Sequence, residues 1–363
     1  MLLGLLLVPL LFSCKTSQPT DPWLDHLERH LDSLALDPGM GAVSMAAVSS
    51  GHTYLLHRGK LNDGQAPGDK HLYEIASLTK TFTGTLLAQA IVAGKVKLDD
   101  DIRFWLPGDF ANLAYENHPI TFRHLLTHQS GLPRMFPDQP ELFENPDWNA
   151  LPGKLNALQE GFSREDFMAA LQKVELDTLP GTRFAYSNAG ANLLGYMLEE
   201  MYQMPYAHAL QKHILHPLGM TSTAVELDAD LQARVVKGQN DQGIQMPLHA
   251  MKEMNAEGGI VSSTADMAQY LRFHLDTTQA DIQVAHQELW GGKFGDYEAG
   301  FFWQIFKDGD RPDRIFQNGG AYGTSSWVTL IPEKQRAIFI VTNRAGPDLH
   351  QKLGEAVDKM LDD

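Results

Sequence analysis

The chain holds a single cysteine in 363 residues, Cys14. No disulfide can staple it, so its stability has to come from a buried core, which a chain of this length can supply. It is short of cations: 29 Lys and Arg stand against 45 Asp and Glu, a formal net charge of −16. That balance argues against a nucleic-acid partner, which would require a basic face; the acidity itself speaks to solubility rather than to function. The chain has no glycine-rich phosphate cradle, no dinucleotide fingerprint after a strand, no internal repeat and no low-complexity segment. His124 and His128 are spaced as zinc ligands on one helix face, but no Glu follows His124 and no third ligand is evident. No metal and no cofactor is expected.

Residues 1–13 are largely apolar and end at Cys14. The run is too short to cross a bilayer as a mature helix and has the length of a secretory signal peptide. Leu11-Phe12-Ser13-Cys14 resembles a bacterial lipoprotein signal, in which the cysteine is acylated and becomes the new N-terminus. The chain is therefore expected to be exported as a periplasmic, membrane-anchored lipoprotein, with residues 14–20 as a polar tether. A plain cleaved signal peptide, giving a secreted soluble protein, is the alternative.

From residue 21 onward the patterning alternates between two kinds of element. Asp21-Pro22 is an N-cap followed by proline at the first helical position, and Leu24, Leu27, Leu31 and Leu34 follow at helical spacing. Residues 42–49 and 53–57 read as strands joined by a Ser50-Gly51-His52 turn. A helix through Leu86 and Leu87, apolar almost all round as a buried central helix is, ends at Gly94. From about 98 to 240 the chain is helical or loop-like, with Ser163 as a cap and Asn188 opening another helix. Strand character returns near 301–306, 326–331 and 337–342, before a last amphipathic helix with Leu349, Leu353, Val357 and Met360 or Leu361. Strands at both ends imply that the termini pack around one sheet. The expected fold is α/β (α+β): one catalytic domain over 21–363, an antiparallel sheet flanked by terminal helices, with a helical insertion at about 98–240.

The chemistry concentrates in three segments. Ser77 and Lys80 are three apart at the mouth of the apolar helix. They share a helix face, where an amine that drops its proton can activate the hydroxyl. Tyr186-Ser187-Asn188 precedes a helix-like run, and Gln317-Asn318-Gly319-Gly320 precedes a strand-like one, where a pair of glycines ordinarily marks a turn. In this order the motifs resemble those of the serine β-lactamase and penicillin-recognising family. The branch resembled is that of the class C β-lactamases, D-Ala-D-Ala carboxypeptidases, D-aminopeptidases and related esterases, whose second element is Tyr-x-Asn. The resemblance runs from about residue 34 to 342 and includes segments remote from the chemistry, at 121–133, 215–220 and 258–266.

The resemblance implies a β-lactamase-like fold and acyl transfer to water through a Ser77 ester, on an amide, lactam, ester or D-amino-acid peptide. Lys80 would sit in the same pocket, and Tyr186 would share proton transfer. Either could be the base. Asn188 would bond the substrate amide or the Lys80 amine, and the backbone N–H groups of Ser77 and Gly320 would form the oxyanion hole. The third motif departs from the family, which has Lys-Thr-Gly or His-Thr-Gly where this chain has Gln317-Asn318-Gly319. A slip of one residue would make Asn318-Gly319-Gly320 the motif and Ala321 the oxyanion donor. Neither register restores a cation, so neutral esters or amides are expected to compare well with penicillins. Arg344 is either a substitute anchor or a solvated loop arginine. A catalytically silent ligand-binding protein is the reading from a different class.

Overall fold

Asp21 and Pro22 open the first helix as the sequence predicts, the Asp21 carboxylate accepting the Trp23 N–H at 2.9 Å. The structure, a computed structural model, describes residues 21–249, 255–294, 297–309 and 311–362. The signal peptide, Cys14 and the tether lie outside the described residues. Five helices recur below: α1 (Pro22–Ala35), α2 (Thr79–Val92), α3 (Asn188–Tyr202), α4 (Thr264–Leu275) and α5 (Leu349–Leu361). In α1 the buried stripe is Trp23, Leu27 and Leu31; Leu24 and Leu34 are only half-buried.

The main sheet has eight strands: β1 (Val43–Ser49), β2 (His52–Arg58), β3 (Trp290–Phe294), β4 (Tyr297–Ala299), β5 (Gln304–Phe306), β6 (Arg314–Gly320), β7 (Ser325–Ile331) and β8 (Arg336–Thr342). Their spatial order is β2-β1-β8-β7-β6-β5-β4-β3, and all neighbours are antiparallel. Ser50 and Gly51, at φ 45° and 87°, make the two-residue turn between β1 and β2, because two left-handed residues match the strands' own twist. Val43 pairs with Thr342, which zips the first hairpin onto the last strand and brings the termini together.

Both faces of the sheet are covered, which is why β1 and β8 read as nearly continuous apolar runs. Met45, Ala47, Ile338 and Ile340 point to one face, where they pack with Leu27 and Leu31 of α1 and Leu353 and Val357 of α5. Their neighbours Ala46, Val48, Phe339 and Val341 point to the other, into a larger core with Phe82, Leu86 and Leu87 of α2. α2 is buried on every side, and Gly94, at φ 71°, closes it. Between β2 and β3 no described residue joins the main sheet. Helices fill that stretch and continue past residue 240, through α4 and Ala280–Ala285.

Two local readings change. The strand expected over 301–306 begins only at Gln304, because Phe302 adopts φ 62°, a left-handed conformation that breaks the pleat. Gly319 and Gly320 are not a turn; they end strand β6, and the chain reverses at 321–324.

Candidate active site

Ser77 lies in a single 3₁₀ turn, Ala76–Leu78, that runs straight into α2. Its predecessor Ala76 has φ 47°, a conformation that costs an L-residue on the order of 1 kcal/mol or more. The surroundings impose it. Ile75 N donates to Ile260 O at 3.1 Å, Thr324 Oγ1 to Glu74 O at 2.8 Å and Ser326 Oγ to Ile75 O at 3.2 Å. β6 also presses on the turn: a Cβ on Gly319 would stand 2.1 Å from Ile75 O, so only glycine lets the strand lie this close.

Three side chains meet at the hydroxyl. Ser77 Oγ is 2.7 Å from Tyr186 Oη and 3.1 Å from Lys80 Nζ, which donates to it. Lys80 is fully buried, and its ammonium also donates to Glu257 O at 2.6 Å. The amine lies over the Tyr186 ring, 5.0 Å from its centre. Both candidate bases thus touch the nucleophile, and either can take its proton once it has released its own, Lys80 as the neutral amine or Tyr186 as the phenolate. Tyr186 is held by the His128 ring, 4.4 Å away centre to centre. Burial, reinforced by the Lys80 charge, pushes His128 down to about 3, so it packs as a neutral ring.

Asn188 does not cap α3. Ser187 does, its Oγ accepting from Gly190 N at 2.9 Å. Asn188 is the first helical residue; its N–H donates to Arg134 O at 2.7 Å, while its Oδ1 is buried without a protein partner. A buried acceptor left unmet costs free energy unless something supplies a donor.

The third motif is turned inward. Gln317 is buried, with Nε2 donating to Phe302 O and Oε1 accepting from Asn318 N at 2.9 Å and Gln304 Nε2 at 3.2 Å. The left-handed Phe302 carries its carbonyl to the amide that replaces the family's cation. β5 pairs with β6 only as far as Phe316, so the edge of β6 over 317–320 is open on that side. Asn318 N points to this edge, and N–H directions alternate along a strand, so Gly320 N leaves by it too. Ala321 N is already committed to Thr324 O at 3.0 Å.

Sequence reasoning missed Glu257. Its carboxyl is 2% exposed, and Oε2 has no partner. Burial pushes it up to about 7, against the pull of the Lys80, His249 and Arg134 charges. No local signal set it apart, since Lys252, Glu253 and Asn255 stand just before it. His249 borders the same region, stacked on Tyr322 at 3.9 Å and bonded through Nδ1 to Glu74 Oε1 at 3.2 Å. Arg344 lies elsewhere in contact terms: its Nη1 donates to Asn240 O at 3.2 Å, and no contact among the described residues joins it to Ser77, Lys80 or Tyr186. His124 accepts the Thr121 N–H at 3.1 Å and His128 the Ser187 N–H at 3.2 Å, so the two imidazoles serve separate turns. Among the described residues no three His, Cys, Asp or Glu side chains gather as a metal site would require.

Comparison with known proteins follows this geometry. The family model described as Beta-lactamase matches residues 24–360. The chain is 25% identical over 374 residues to the D-alanyl-D-alanine-carboxypeptidase/endopeptidase AmpH of Escherichia coli K12, covering 97% of this chain and 92% of that one. It is 25% identical to a Beta-lactamase of Providencia stuartii, covering 85% and 82%. Among solved structures, a beta-lactamase/D-alanine carboxypeptidase from Yersinia pestis superposes with a TM-score of 0.80 at 22% identity, over 93% of this chain and 97% of that one. A class C beta lactamase from Rhodobacter sphaeroides gives 0.74 at 20% identity, over 93% and 99%. These likenesses bear out the β-lactamase-like fold and its antiparallel sheet.

Proposed function

Because the chain belongs to the beta-lactamase family, we propose that it hydrolyses an amide, lactam, ester or D-amino-acid peptide through an acyl-Ser77 intermediate. The observation that carries this reading is the simultaneous contact of Ser77 Oγ with Lys80 Nζ and Tyr186 Oη. In acylation the Ser77 proton passes to the neutral amine of Lys80 or to the phenolate of Tyr186 as Oγ bonds the substrate carbonyl carbon. The carbonyl oxygen, now anionic, is met by the N–H groups of Ser77 and Gly320, and the leaving group departs with the proton. The commitment of Ala321 N to Thr324 O favours Gly320 as the second donor, and hence Gln317-Asn318-Gly319 as the motif. Water then attacks the ester with the same residues in reverse roles, regenerating Ser77. Asn188 Oδ1, buried and unmet, suits a substrate amide N–H.

Intact-mass measurement tests the reading. Incubation with a fluorophosphonate should add one adduct per chain, on Ser77, and a panel of penicillins, cephalosporins and p-nitrophenyl esters should identify the acyl donors. A chain that binds members of the panel yet never forms an adduct would instead be a silent ligand-binding protein.

Export by a lipid anchor is the accompanying proposal, supported by the apolar run that ends at Cys14. No described helix is long and apolar enough to cross a membrane. Metabolic labelling with a palmitate analogue should tag the wild type and spare Cys14→Ser; an unlabelled, soluble wild type would favour the plain signal peptide.

A further inference from the structure

Gln317 leaves the third motif without a cation and spends its amide on Phe302, Gln304 and Asn318. A different cation stands at the site. The guanidinium of Arg134 lies 5.8 Å from the centre of the Tyr186 ring and 5.3 Å from that of Phe143, between the residue that touches Ser77 and an aromatic of the adjoining loop. Stacking on aromatic faces leaves the in-plane N–H edges of a guanidinium free, the geometry that takes a carboxylate in bidentate fashion. Among the described residues no ion pair involves Arg134, whereas Arg58, Arg103, Arg123 and Arg164 each hold an Asp or Glu.

Its backbone is tied to the site. Pro133 O accepts from Ser187 Oγ at 2.6 Å and Arg134 O from Asn188 N at 2.7 Å, so the residue is clamped to the Tyr186-Ser187-Asn188 motif on both sides of its own N–H. The side chain itself is exposed and open to a ligand. Of the acids around Ser77, Glu74 is held by His249 and Glu257 is buried.

We propose that Arg134 forms a subsite for a carboxylate borne by the substrate, taking over from the absent third-motif cation. The proposal rests on the acyl-transfer reading above and narrows it to acyl donors that carry a carboxylate within reach of Tyr186.

The test compares kcat/KM for carboxylate substrates with that for neutral isosteres, the carboxamide or methyl ester of the same compound. One pair carries the carboxylate on the leaving group and another on the acyl portion. Arg134→Gln should lower the acid-to-neutral ratio about tenfold for at least one pair, mainly through KM, and Arg134→Lys should restore part of it. The wild-type preference should also shrink as salt is raised, because the guanidinium is solvent-exposed. A fall of equal size for acid and neutral substrates would show that Arg134 only props Tyr186, and the proposal would be wrong.

A binding measurement separates this failure from failure of the acyl-transfer reading. In a Ser77→Ala background, calorimetry with an N-acyl-D-alanyl-D-alanine and its C-terminal amide, and with an acyl-side acid and its amide, should show tighter binding of one acid. That preference should vanish on adding Arg134→Gln. If it is present although the wild type hydrolyses nothing, the subsite stands and the catalytic reading falls. If no acid is preferred, the subsite falls whatever the turnover.

Discussion

Ser77→Ala is expected to abolish covalent labelling and to lower kcat/KM by roughly 10⁴-fold or more, because nucleophile and base act as one unit. Lys80→Met should lose a comparable amount, and the two losses should not add. The contrast with stability makes the test specific. Ser77 is half-buried, and the turn that carries it is held by backbone groups of Glu74 and Ile75, not by its hydroxyl. Lys80 is wholly buried, with no carboxylate bonded to its amine. Replacing this buried amine by a methionine of similar length removes its desolvation penalty, but it also takes a counter-charge from Glu257 wherever that carboxyl is ionised. Thermal midpoints should therefore stay level for Ser77→Ala and, below pH 7 where Glu257 holds its proton, hold or rise for Lys80→Met while activity collapses. Undiminished turnover in Ser77→Ala would sink the mechanism.

The second large effect concerns Glu257. An ordinary glutamate titrates near 4.5, and burial raises this one to about 7. The folded protein therefore holds a proton that the unfolded chain releases between those pH values, so stability is greatest below the window and falls as pH rises through it. A shift of this size corresponds to about 3 kcal/mol, fully felt above pH 7. Glu257→Gln keeps the shape and removes the charge. It should match the wild type near pH 4.5 and melt several degrees higher at pH 8, with the gap opening across the window. A constant gap at every pH would mean that the carboxyl does not titrate there. Activity should respond in the same region: an inflection in kcat/KM near pH 7 is expected in the wild type, because a new negative charge appears beside Lys80, and it should be absent from Glu257→Gln.

Features that depend on neighbours a few residues away were legible without the fold. Helix pitch alone places Lys80 beside Ser77, and the Asp21-Pro22 cap and the stripe of Leu349, Leu353 and Val357 follow from the same local periodicity. Strands β1 and β8 were visible because apolar β-rich runs survive burial on both faces, and strands at both ends of the chain implied one shared sheet, though not that these two pair. Tyr186 could be named only by resemblance, since 109 residues separate it from Ser77 and nothing in local spacing brings them together.

Tertiary structure alone decided what the polar groups can do. Gln317 marked a missing cation in the sequence, but only the left-handed turn at Phe302 shows that its amide is used up internally. A pair of glycines ordinarily marks a turn, and only the close approach of Ile75 O shows why strand β6 needs Gly319. Glu257 is one acid among 45 Asp and Glu, distinguished solely by the core that closes over it. Arg134 gains its place from two aromatic rings in separate segments. Backbone propensity is local and readable along the chain, whereas desolvation and charge proximity are sums over residues that the sequence keeps far apart.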